Sequence, residues 1–123
     1  MKYATDRKRA EGLGSGRQGT AHHWEMLVSS MALLVVVPAF VITFGLVFGG
    51  SHGEVQAFFS HPVAAIVSAL SLIVIIRHVM NETLEAVEDY IHGLAGKLTI
   101  VAVTALAYTL IATGLFALAK LAL

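Results

Sequence analysis

Three long apolar stretches constrain this chain more than any other feature of its 123 residues. They cover residues 26–48, 62–80 and 98–118, and the first and third contain no Lys, Arg, Asp or Glu. A helix of about 20 apolar residues crosses the bilayer core and satisfies its own backbone hydrogen bonds there. We therefore predict an all-α membrane protein with three transmembrane helices, over about residues 24–48, 62–91 and 97–121, in one domain spanning residues 24–123.

Two other interpretations of the chain can be set aside. The first apolar stretch begins after 25 residues and lacks an Ala-x-Ala site, so we do not interpret it as a cleaved signal peptide. The chain contains no cysteine, which excludes disulfides, thiolate metal ligands and cysteine lipidation.

The basic residues predict how the helices are oriented. Five of the eight precede the first apolar stretch: Lys2, Arg7, Lys8, Arg9 and Arg17. By the positive-inside rule the N-terminus is expected in the cytoplasm and the C-terminus in the periplasm. Residues 1–23 are then a basic, glycine-rich cytoplasmic arm, which either attracts anionic lipid or docks on a soluble partner. The glycines form no nucleotide-binding fingerprint, and we expect no nucleic-acid partner.

Arg77 and His78 form an ionisable pair inside the second apolar stretch. Ionisable side chains at membrane depth usually have a function. A neutral imidazole on a helix that faces a bundle can coordinate haem iron axially. The other histidines fall in loops or at helix ends, so a second axial ligand would come from another chain. The alternative is that His78 hydrogen-bonds a neighbouring helix.

Other polar residues follow His78 along the same helix, at offsets of 0, 4, 7, 11 and 14 that trace one stripe: His78, Glu82, Glu85, Asp89 and His92. Arg77 either pairs with an acid such as Glu82 or balances an anionic group, for which a haem propionate is the obvious choice. Tyr90 is either an interfacial tyrosine or a hydrogen-bond donor to a quinone carbonyl, with Asp89 tuning the proton supply.

A rival function is a small proton or cation transport protein that uses Arg77, His78 and Glu82 as a relay. It is disfavoured because Ser68 and Ser71 are the only polar residues between 63 and 76. A third possibility is a purely structural anchor that has lost its haem.

The first and third helices offer small residues for close helix packing. In the first helix these are Ser29, Ser30 and Gly45. In the third they form the stripe Ala105, Thr109 and Thr113.

The segment 78–93 carries a resemblance. A histidine twelve residues before the tyrosine of Asp89-Tyr90-Ile91-His92-Gly93 resembles the second helix of the hydrophobic membrane anchor subunits of succinate dehydrogenase, respiratory complex II, in its alphaproteobacterial form. The likeness covers about residues 16–123 and has three further elements in and before the first helix: Gly16-Arg17-Gln18-Gly19, His22-His23-Trp24 and Pro38.

The resemblance implies a subunit of a quinone-reducing enzyme in a bacterial inner membrane. Its partners would be a flavoprotein, an iron-sulfur protein and a larger cytochrome b anchor subunit, with haem b shared between the two anchors and ubiquinone as substrate. The chain itself would hold no succinate-oxidising residue.

The resemblance also assigns individual residues. His78 corresponds to an axial haem ligand, and Tyr90, with Asp89 beside it, to the quinone site. His23 and Trp24 fall near the iron-sulfur interface and the haem propionate edge. Some relatives carry an arginine where this chain has Ser29 and Ser30, and Arg77 is the expected substitute.

Overall fold

The computed structural model describes residues 3–14 and 18–123, and within them the only regular secondary structure is helical. The helices are α1 (Asp6–Glu11), α2 (Ala21–Val47), α3 (His52–Phe59), α4 (Pro62–Tyr90) and α5 (Gly93–Ala122). Of these, α2, α4 and α5 are long and apolar enough to cross a membrane, which confirms the prediction of three membrane-spanning helices. Lys2, Gly16 and Arg17, which belong to the predicted basic arm and to the glycine motif, lie outside the described residues.

The long helices form a layer that is one helix thick. Helix α4 lies in the middle and packs against α2 on one side and α5 on the other, whereas α2 and α5, both fully described, do not contact each other. Four residues of α4 are buried in these contacts: Ser68, Ser71, Met80 and Val87. We call α2, α4 and α5 the bundle, and the end that holds the start of α2 its N-terminal end.

A tight turn joins α4 to α5 at the N-terminal end of the bundle. Only Ile91 and His92 separate the two helices, and Gly93 has a φ of 69°, which residues with a side chain rarely adopt. A Cβ atom at Gly96 would overlap the carbonyl oxygen of Ile91. Helix α5 therefore starts earlier than the predicted residue 97, because these glycines allow the chain to reverse within two residues.

Helix α3 lies within residues 49–61, which the sequence analysis left without a helix. Ser51 caps it: its backbone N–H and hydroxyl donate to Glu54 Oε2 over 2.7 and 2.8 Å, and its hydroxyl oxygen accepts from the Glu54 N–H. These hydrogen bonds hold the pKa of the Glu54 carboxyl below its usual value. Phe59 is only 2% exposed, and its ring packs at a tilt against Phe44 and edge-on against Phe58. Helix α3 therefore closes the end of the bundle opposite to the N-terminal end.

The predicted packing stripe of α5 does not pack within this chain. Ala105, Thr109 and Thr113 are exposed, and the face that contacts α4 instead contains Ala107 and Gly114. The hydroxyls of both threonines donate to carbonyl oxygens one turn earlier, so they need no partner on a neighbouring helix. Helical spacing identified a stripe but not the side of the helix that faces α4.

Helix α1 gives the N-terminal arm a short ordered segment. Its two arginines pair with acids of the same helix, Arg7 with Glu11 over 2.8 Å and Arg9 with Asp6 over 3.5 Å. All four side chains are exposed, so each pair contributes little stability. The pairs do reduce the positive charge that this part of the arm presents.

Candidate functional site

Polar side chains connect α2 to α4 at the N-terminal end of the bundle. The contributors from α2 are spaced by three and four residues, which places them on one face of the helix. The contacts are His22 Nε2 to Glu85 Oε1 (2.5 Å), Arg77 Nη2 to Glu25 Oε1 (2.9 Å) and His78 Nδ1 to Ser29 Oγ (2.9 Å). Together they fix the register between the two helices around His78.

His78 lies between α2 and α4, and its side chain is only 13% exposed. Its Nδ1 atom contacts Ser29 on the neighbouring helix, as the structural alternative in the sequence analysis predicted. Its Nε2 atom lies 3.6 Å from Glu82 Oε1, which is too long for a hydrogen bond. One ring nitrogen therefore holds the imidazole in place, while the other is left for a further ligand.

Arg77 pairs with a different acid from the one we expected. The sequence analysis named Glu82, one turn and one residue along the same helix, but the guanidinium binds Glu25 of α2. Glu82 instead lies beside His78. A guanidinium group carries five N–H donors in a planar fork, so the contact with one oxygen of Glu25 leaves donors for a second anion.

The other predicted site residues lie on the outside of the chain. Tyr90 ends α4 and is 84% exposed, Trp24 is 64% exposed, and Asp89 and His23 are exposed as well. Tyr90 lies about 18 Å along α4 from His78, at 1.5 Å per residue. The chain alone does not bring these residues into one pocket with His78, and their exposed surfaces are open to partner subunits.

The half of α4 that begins at Pro62 offers no polar route towards His78. Ser71 donates to the carbonyl oxygen of Val67 over 2.6 Å, so its hydroxyl hydrogen is used within the helix. Ser68 is buried, and its hydroxyl has no hydrogen-bond partner among the described residues. A proton relay from His78 through this part of α4 would therefore lack connected groups.

Comparison with known proteins identifies the family. The family model described as "Succinate dehydrogenase/Fumarate reductase transmembrane subunit" matches residues 1–118. A succinate dehydrogenase hydrophobic membrane anchor subunit of Paracoccus denitrificans is 39% identical over 123 residues, which are 100% of this chain and 95% of that protein. The chain belongs to this family of transmembrane subunits. No solved structure matches it significantly.

Membership of the succinate dehydrogenase/fumarate reductase transmembrane subunit family makes the chain a multi-pass membrane protein and part of an oxidoreductase complex. The sequence analysis predicts a function for His78 but not the contacts that hold it: it names no role for Glu25, and it assigns Ser29 to helix packing and to a position where some relatives carry an arginine. The polar residues His22, Glu25 and Ser29 share one face of α2 at its start. That periodicity was a signal that α2 contacts the ionisable stripe of α4.

Proposed function

We propose that this chain is the membrane anchor of a succinate:quinone oxidoreductase in a bacterial inner membrane, where it binds haem b jointly with a larger cytochrome b anchor subunit. The environment of His78 carries the proposal. An imidazole that is nearly buried, held through Nδ1 and unbonded at Nε2 has the orientation that an axial haem ligand needs.

The residues of this chain fit half of a haem site. His78 supplies one axial nitrogen, and the other histidines lie between helices or within the first three residues of a helix. We therefore assign the second axial ligand to the larger anchor subunit. The haem, when bound, accepts and releases one electron. Arg77 supplies guanidinium donors for a propionate, in addition to those that bind Glu25.

Tyr90 and Asp89 form this chain's part of the ubiquinone site. The phenol of Tyr90 donates a hydrogen bond to a quinone carbonyl, and the carboxylate of Asp89 adjusts the supply of protons. The exposure of both residues supports a site that partner subunits complete. Because His78 lies about 18 Å from Tyr90 along α4, electrons that arrive at this end need not cross the whole membrane.

The flavoprotein and iron-sulfur subunits dock at the N-terminal end of the bundle, which we assign to the cytoplasm. This end carries the exposed His23 and Trp24 and the acidic end of α4, and the arm containing α1 precedes it. Charges of both signs on one side of the membrane can steer and orient soluble partners. Residues 1–23 would form the docking arm and residues 24–123 the membrane domain.

The decisive experiment is a reduced-minus-oxidised optical spectrum of the purified complex, with native protein compared with His78→Ala. We expect a b-type haem signal that His78→Ala removes or alters. His61→Ala is the matched control, because His61 caps the start of α4 at the other end of the bundle. Absence of haem from the native complex, or an unchanged spectrum in His78→Ala, would contradict the proposal.

The quinone assignment has its own test. Tyr90→Phe keeps the ring and removes the hydroxyl, and losing one hydrogen bond of about 1.4 kcal/mol corresponds to about tenfold slower ubiquinone reduction. The haem spectrum should not change. Tyr108→Phe, in the middle of α5, is the control and should reduce ubiquinone at the native rate. If Tyr90→Phe and Tyr108→Phe reduced ubiquinone at the same rate, Tyr90 would not be part of the quinone site.

A further inference from the structure

We propose that Ser29 is the positioning residue for His78: it holds the imidazole with its hydrogen on Nδ1 and so keeps the lone pair on Nε2 for haem iron. This inference rests on the proposed haem function. It gives α2 a role in haem binding, because Ser29 on α2 orients the ligand His78 on α4.

The inference rests on the number of hydrogen bonds that the Ser29 hydroxyl can donate and accept. Ser29 Oγ lies 3.0 Å from the carbonyl oxygen of Met26 and 2.9 Å from His78 Nδ1. A serine hydroxyl has one hydrogen to donate, and the Met26 carbonyl can only accept. When the hydroxyl donates to Met26, its oxygen accepts from Nδ1–H, and the neutral ring then carries its lone pair on Nε2.

The opposite arrangement satisfies fewer groups. If Ser29 donated to Nδ1, the neutral imidazole would carry its hydrogen on Nε2. The acid beside Nε2 is Glu82, and its Oε1 atom is 3.6 Å away, beyond hydrogen-bond distance. That N–H would then lack this acceptor in a nearly buried setting, which is unfavourable.

The rigid setting of Ser29 makes the contact suitable for orienting a ligand. Ser29 is half-buried within the continuous helix α2, and the contact of Glu25 with Arg77 lies one turn away on the same face. Ser30 provides an internal comparison. Its hydroxyl also donates to the Met26 carbonyl, over 2.7 Å, but it is exposed and the structure gives it no contact with His78.

A hydrogen bond from Nδ1–H to an acceptor makes the imidazole a stronger donor to a metal. A stronger donor favours ferric over ferrous iron and lowers the reduction potential. Removing the Ser29 hydroxyl should therefore raise the haem midpoint potential. Outer-shell partners of metal ligands commonly change affinity at least tenfold, and a tenfold change for one electron is about 59 mV.

The experiment measures the haem midpoint potential and the haem content of the purified complex with Ser29→Ala, Ser29→Thr and Ser30→Ala. We expect Ser29→Ala to raise the midpoint potential by about 59 mV, which corresponds to a tenfold change in the affinity for ferric relative to ferrous iron. Ser29→Thr keeps the hydroxyl and should restore the native value, and Ser30→Ala should match native protein. If Ser29→Ala assembles poorly, Ser29→Val replaces it, because valine and threonine share a shape and differ in the hydroxyl.

The outcomes separate this inference from the proposed function. If His78→Ala loses the haem signal while Ser29→Ala and Ser29→Val keep the native potential, His78 remains a ligand and the role of Ser29 is wrong. If all Ser29 variants, including Ser29→Thr, change the haem midpoint potential by the same amount, the hydroxyl is not responsible and the inference is equally wrong. If the native complex contains no haem, the proposed function itself fails.

Discussion

The packing of Gly114 on Leu72 predicts a specific loss of stability. Gly114 lies on the face of α5 that contacts α4, and a Cβ atom there would overlap Leu72 Cδ2 and lie 3.2 Å from Cδ1 and 3.3 Å from Cγ. Gly114→Ala must therefore move the Leu72 side chain to another rotamer or separate the two helices. Either response weakens the contact between α4 and α5.

The size of the effect follows from two opposing terms. Overpacking costs about 1–3 kcal/mol, and alanine is favoured over glycine in a helix by about 1 kcal/mol. We expect Gly114→Ala to lower the free energy of unfolding by about 1 kcal/mol. In a Leu72→Ala background the obstructing atoms are gone, so the same change should stabilise by about 1 kcal/mol, a coupling of about 2 kcal/mol.

The absence of cysteine makes the assay simple. Fluorescent labels at Val63→Cys and Lys120→Cys report the distance between the start of α4 and the end of α5, while a denaturing detergent unfolds the chain in mild micelles. Gly45→Ala in α2 is the matched control, because a Cβ atom there meets nothing within 4 Å. The reasoning is refuted if Gly114→Ala stabilises as Gly45→Ala does, or if its cost persists beside Leu72→Ala.

Two further predictions concern charges. Glu25→Gln should destabilise the chain by about 0.5 kcal/mol in the same assay. Arg77→Gln added to it should cost little more, because the same interaction is lost in both cases; additive costs would exclude the pairing. The pKa of Glu54 is lowered in the folded chain, so its stabilisation of α3 is present above the unfolded pKa and disappears as pH falls through the folded pKa. The protection of the α3 amides, measured as the intrinsic exchange rate at each pH divided by the observed rate, should therefore fall in acid, and Glu54→Gln should abolish that fall.

The three long helices were predictable because an apolar stretch of about 20 residues, folded as a helix, matches the thickness of the bilayer core. Helix α3 was missed although Ser51 and Glu54 have the spacing of a capping box, a recognisable start signal. The short helix is less apolar than its neighbours, so hydropathy alone treats it as a connection. The packing face of α5 was not predictable, because its alanines and glycines occur on several sides of the helix.

The candidate site was predictable only as far as single helices allow. His78 stood out because an ionisable residue in an apolar stretch is rare. Its partner Ser29 is 49 residues away, and the pairing depends on how α2 and α4 are aligned, which periodicity does not specify. The same limit explains Arg77: Glu82 is its neighbour in sequence, whereas Glu25 is its partner in space.

The single-layer arrangement of the bundle has a consequence for biogenesis. Helix α2 contacts α4 but not α5, so the helix pair that carries His78 and Ser29 can form as soon as α4 has entered the membrane. Translation at about 5–20 residues per second leaves α2 alone for several seconds before α4 arrives. Helix α5 packs on the opposite side of α4, so the surface that carries His78 and Ser29 does not depend on the last quarter of the chain.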